Sequence, residues 1–83
     1  EALHNLAVLR GRAGDLAAAE ALARRMVAAH PDDARGWNDL GVILARAGRR
    51  DEAAAVFRDG LARLPGDPDL KANLRALPPA GGR

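Results

Sequence analysis

Apolar residues recur along this chain at the spacing of one helix face, and small breaker residues separate the runs. Trp37, Leu40, Gly41 and Leu44 stand at i, i+3, i+4 and i+7, which predicts an amphipathic helix opening after Asp33. Asp33 is a good N-cap, because its carboxylate can accept from the free amides of the first turn. Gly48 ends the helix, as glycine does just past a helix C-terminus. A second helix follows with Ala53, Val56, Phe57, Gly60, Leu61 and Leu64 on its inner face, and Pro65 stops it. The first part of the chain follows the same plan. One helix runs to about residue 12, and Gly14 breaks it. Asp15 then caps a helix with Ala19, Leu22, Ala23 and Met26 inward, which Pro31 ends. Near the end, Asp67 caps a shorter helix with Pro68 in its first position and Leu70, Leu74 and Leu77 on its apolar side. Pro78-Pro79-Ala80-Gly81-Gly82-Arg83 cannot continue it and reads as a tail or linker.

The two plans are one plan repeated. Shifting the sequence by 34 residues brings Leu6 onto Leu40, Val8 onto Val42 and Arg12-Ala13-Gly14 onto Arg46-Ala47-Gly48. The match continues with Ala19 on Ala53, Arg24 on Arg58, Pro31 on Pro65 and Asp33 on Asp67, without a gap. A fixed period of this length is the signature of a stacked helical array, in which each unit buries its apolar face only against its neighbours.

Trp37, Leu40, Gly41, Leu44, Ala53, Phe57 and Pro65 resemble the pattern of the tetratricopeptide repeat, Trp-x2-Leu-Gly-x2-Tyr, then Ala-x3-Phe, then Pro, with Leu44 in the Tyr slot. The first unit is a degenerate copy, with Leu3, Leu6, Ala7, Arg10, Ala19, Ala23 and Pro31 in the corresponding slots. The resemblance extends from residue 1 to about residue 77. It implies an all-α fold, a right-handed α-α superhelix of antiparallel helix pairs, made of two tetratricopeptide units and a C-terminal capping helix. The expected boundaries are 1–33 for a first, truncated unit, 34–67 for the second, 68–77 for the cap and 78–83 for the tail. Lys71 and Arg75 replace the Trp and Gly of the motif in the last helix, which suits a helix with no further neighbour. Two units and a cap are fewer than such arrays generally need, so further repeats or a partner are expected before Glu1.

A second stripe remains on each first helix once the core positions are assigned. It comprises Arg35, Asp39, Val42 and Arg46 in the second unit, and Glu1, Asn5, Val8 and Arg12 in the first. Asp69, Asn73 and Ala76 continue it on the cap. Asn5, Asp39 and Asn73 occupy one repeat position and would form a polar ladder flanked by Val8 and Val42. The resemblance implies that first helices line a concave groove for extended peptides or a partner helix. In transferase members of the family, an asparagine ladder at this position grips peptide backbone. An amide suits that task because it both donates and accepts, whereas Asp39 can only accept. The candidate groove is therefore Asn5, Val8, Arg12, Arg35, Asp39, Val42, Arg46 and Asn73. The carboxylate clamp of chaperone-binding members does not fit, since its positions here hold His4, Val8, Asp39, Asp69 and Asn73. Arg12 and Arg46 read either as reporters of an acidic ligand or as compensation for helix C-terminal dipoles.

Composition narrows the function from the other side. The chain of 83 residues contains no Ser, Thr, Tyr or Cys, so hydroxyl and thiol nucleophiles and a disulfide framework are absent. His4 and His30 stand far apart with no ligand at metal spacing, and Gly11 and Gly14 form no phosphate loop. Net charge is +2, twelve of the thirteen basic residues are Arg, and acids are interspersed among them. Arg24-Arg25 and Arg49-Arg50 lack aromatic neighbours, so they read as solvated faces rather than a nucleic-acid surface. Glu20 with Arg24 and Asp59 with Arg63 are expected as surface pairs at i,i+4. No apolar run is long enough for a membrane span. The Ala, Arg, Leu, Gly and Pro bias points to a GC-rich bacterial genome, and a cytoplasmic setting is favoured. The expected function is non-catalytic protein or peptide binding, without cofactor, nucleic acid or membrane. The alternatives are a regulatory or substrate-recruiting module of a larger transferase-type enzyme and a homo-oligomer built through exposed array ends.

Overall fold

The computed structural model describes residues 15–78. Four helices follow one another: α1 (Leu16–Ala29), α2 (Ala34–Arg46), α3 (Arg50–Arg63) and α4 (Pro68–Ala76). There is no strand among the described residues. The helix expected up to about residue 12 lies outside them, and so does the tail beyond Pro78.

The starts are set by the predicted aspartates. The Asp15 carboxylate accepts from the Ala18 amide at 3.2 Å, Asp33 from the Arg35 amide at 3.0 Å and Asp67 from the Leu70 amide at 2.8 Å. Each bond satisfies one of the amides that a first turn leaves without an internal partner. The stops before the two prolines are near copies. His30 and Leu64, at φ −137° and −130°, each leave the helical region because the following proline ring crowds it. The His30 amide donates to Met26 O and the Leu64 amide to Gly60 O, each at 2.8 Å. One turn later the Asp33 and Asp67 amides donate to His30 O and Leu64 O, each at 3.0 Å.

Gly48 closes α2 at φ +80°, a left-handed conformation that costs side-chain-bearing residues free energy. The Gly48 amide donates to Ala45 O at 3.0 Å and the Arg49 amide to Leu44 O at 2.9 Å. This is the Schellman arrangement, which satisfies two carbonyls of the last turn. The next helix, α3, begins at Arg50 without a side-chain cap. Asp51 and Glu52 in its first turn offset the positive end of the helix dipole instead.

Every helix packs on the next in sequence, and α4 also lies against α2. Ala19, Ala23, Leu40, Ile43, Leu44, Ala53, Phe57 and Leu70 form the buried cluster, with Val27, Trp37, Val56, Leu61 and Leu64 packed around it. Close approach at two glycines makes this possible. A Cβ on Gly41 would fall on the Phe57 ring, and one on Gly60 would stand 2.9 Å from Trp37. Trp37 is half-buried rather than enclosed. Its Nε1 donates to Pro31 O at 2.7 Å, so the large ring both fills the interface and holds the turn that precedes its own helix. Ala54 and Ile43 are also buried, beyond the faces read from periodicity. In a closely packed array a helix touches neighbours on more than one side, which widens the buried stripe.

Candidate functional site

The stripe on α2 starts at a residue occupied with its own helix end. The Arg35 guanidinium donates to the Asp33 carboxylate at 2.6 Å while the Arg35 amide is capped by the same group. Those two bonds hold the Asp33 carboxyl down at about 2. One turn on, Asp39 is half-buried. Val42 follows, and it is the large apolar side chain left exposed among the described residues, at 36%. Arg46, in the last turn of α2, is exposed and makes no ion pair among the described residues.

The α4 part of the stripe is bonded to a residue outside the expected ladder. Asn73 is half-buried, and its Nδ2 donates to Oδ1 of Asn38 at 2.6 Å. Asn38 in turn donates to Ala34 O at 3.1 Å. The hydrogen-bonded amide pair that joins α2 to α4 is thus Asn38 with Asn73. One N–H of Asn73 is used in it, and the side chain retains a second N–H and acceptor capacity.

Between the two helices an open cleft of about 280 Å³ runs beside their C-terminal halves. Val42, Ala45 and Arg46 form the α2 side, and Asn73 and Ala76 the α4 side. Phe57 of α3 closes the bottom, and Leu77 and Pro78 border the end where the chain leaves. The cleft exists because α4 is short, with 9 residues against the 13 of α2. Pro78 follows Leu77, which has turned to extended backbone at φ −64°, ψ 144°, so no helical turn covers the last turn of α2. Arg50 Nε donates to Pro78 O at 2.6 Å and fixes this exit.

Of the eight residues predicted from sequence, the cleft brings together Val42, Arg46 and Asn73. Arg35 and Asp39 lie on α2 outside its lining. Asn5, Val8 and Arg12 lie outside the described residues. Sequence reasoning missed Ala45, Phe57, Leu77 and Pro78 as lining, and placed Ala76 on the stripe without counting it in the groove. The Pro78-Pro79 stop was the available signal, because it determines where α4 ceases to cover α2.

Several other charges are paired on other surfaces. Arg49 donates to Glu20 of α1 and to Glu52 of α3, each at 2.6 Å, and Glu20 also meets Arg24 at 2.9 Å as the i,i+4 spacing predicted. Hydrogen bonds from Arg49 lower the carboxyls of both Glu20 and Glu52 below their ordinary range and raise the guanidinium further. Arg63 reaches Asp32 at 3.7 Å rather than the expected Asp59, because the turn before α2 lies beside the end of α3. Both of those side chains are largely exposed, so the pair contributes little.

No group of three His, Asp or Glu that could hold a metal ion is found among the described residues. No helix among them is long and apolar enough to cross a membrane. In a comparison with known families, the tetratricopeptide repeat model matches residues 4–68. No curated protein and no solved structure matches the chain.

Proposed function

Since the chain belongs to the tetratricopeptide repeat family, we propose that it is a non-catalytic module that binds a peptide or partner segment on the surface of its first helices. Repeats of this family generally mediate protein–protein interaction. The observation that carries the finer reading is the cleft, which places an exposed valine, an arginine with no ion pair among the described residues and a half-buried asparagine around one opening. Exposed large apolar side chains are ordinary when scattered singly. Val42 is different in standing at the rim of a concavity, with Phe57 beneath and an amide and a guanidinium beside it. Such a mixture of apolar floor and few polar groups is what recognition sites are built from. Asn5, Val8, Arg12, Arg35 and Asp39 extend the same surface along the helices in this reading, with Arg35 held to the N-terminal end of α2 by Asp33.

A photo-crosslinking amino acid tests the reading when placed at Val42 and, separately, at exposed Ala55 of α3. Irradiation in cells is expected to attach partner proteins at position 42 and few at position 55. Equal attachment at both positions would count against the groove. Attachment of a second copy of the chain at position 42 would replace the reading by self-assembly.

A further inference from the structure

The chemistry of the cleft also restricts what can occupy it. Resting on the binding role proposed above, we propose that the cleft takes an extended segment of a partner protein carrying a carboxylate next to an aliphatic side chain. The carboxylate pairs with Arg46. The aliphatic group enters against Val42, Phe57 and Leu77. Asn73, with amide capacity left over from its bond to Asn38, meets the segment's backbone.

Charge complementarity argues for the acid. Among the described residues, Arg46 is the one charged residue lining the cleft, and no carboxylate lines it. Two neighbouring cations are already used: Arg49 by Glu20 and Glu52, Arg50 by Asp51 and the Pro78 carbonyl. Asp39 lies seven residues before Arg46 on the same helix, which is about 10 Å along the axis. That exceeds the ~8 Å screening length of physiological salt. The negative end of α2 offsets part of the charge, but a helix end is equivalent to only about half a unit charge. A guanidinium carries a full charge on a long stem and a fork of donors matched to a carboxylate.

Size argues for a segment rather than a small molecule. At about 280 Å³ the cleft falls just below the ~300–1,000 Å³ of typical small-molecule pockets. It suits a single side chain with its flanking backbone. The stretch Pro79-Ala80-Gly81-Gly82-Arg83 does not carry the chemistry such a segment needs. It has no acid and no large aliphatic group, and Arg83 repeats the sign of Arg46.

A random peptide library displayed on phage and selected against the full chain tests this directly. Selected peptides are expected to share an Asp or Glu beside Leu, Ile or Val. By fluorescence anisotropy, R46E should weaken the selected peptide at least about fivefold, while R58E, on the exposed outer side of α3, should stay within about twofold. Changing the peptide's acid to lysine should restore binding to R46E, and raising salt should weaken the wild-type complex. Circular dichroism of each variant checks that the helices persist. Selected peptides without an acid, or equal effects of R46E and R58E, would overturn the acidic-segment proposal and leave the peptide-binding role standing. A library that yields no binding peptide at all would overturn both.

Discussion

At the scale of single residues, the array is held by contacts too close for ordinary side chains. Gly41 lies against the face of Phe57, itself only 1% exposed. A methyl group there has nowhere to go, because Phe57 is enclosed by the same cluster that buries Leu44 and Ala53. G41A is therefore expected to destabilise the chain by about 1–3 kcal/mol through overpacking, even though alanine is the better helix former. Urea denaturation followed by circular dichroism measures this, and an unchanged midpoint would mean the two helices can separate at no cost. Such contacts were legible in part. Gly41 and Phe57 stand in motif slots of the repeat, and Trp37 and Gly60 also read as inner-face positions. The partner of Asn73 was not legible. Asn38 rather than Asp39 meets it, and a one-residue difference on a helix is a rotation of 100°, set by how α4 rolls against α2 rather than by periodicity.

At the scale of elements, helix ends carry much of the specification, and they predict an acid response. Asp33 is lowered from 3.8 to about 2 by its cap bonds with Arg35, and Glu20 and Glu52 are lowered from 4.5 by Arg49. A carboxyl whose folded pKa lies below its unfolded value stabilises the fold above the unfolded pKa and loses that contribution as pH falls through the folded one. The glutamate contribution should therefore fade first, below about pH 4.5. The Asp33 contribution should fade between roughly pH 4 and pH 2. Surface exposure keeps each effect small. R49M should flatten the upper part of the decline and D33N the lower part, as read from denaturation midpoints across that pH range. A decline unaffected by either substitution would assign it to other carboxylates. Both helix stops at proline and the three aspartate caps were readable beforehand, because the backbone at each depends on its own residue and near neighbours. The bridge from Arg49 to Glu20 was not, since it joins positions 29 residues apart.

At the scale of the whole molecule, a repeated plan ends in an unequal pair of helices, and the cleft is the consequence. The period predicted α2 and α4 as neighbours, and the proline pair marked where α4 stops. The volume left between them depends on how α3 places Phe57 below, which emerges only when all three helices pack. Val42, Arg46 and Asn73 were found as a stripe, and their gathering around one opening is a property of the assembled fold. The most direct measurement of its use is an amide chemical-shift map of the isotope-labelled chain, titrated with a peptide recovered by selection. The account predicts that the largest shifts fall on Val42, Ala45, Arg46, Asn73 and Ala76, along the facing sides of α2 and α4. Shifts concentrated instead on Ala55, Arg58 and Asp59, along the outer side of α3, would contradict it.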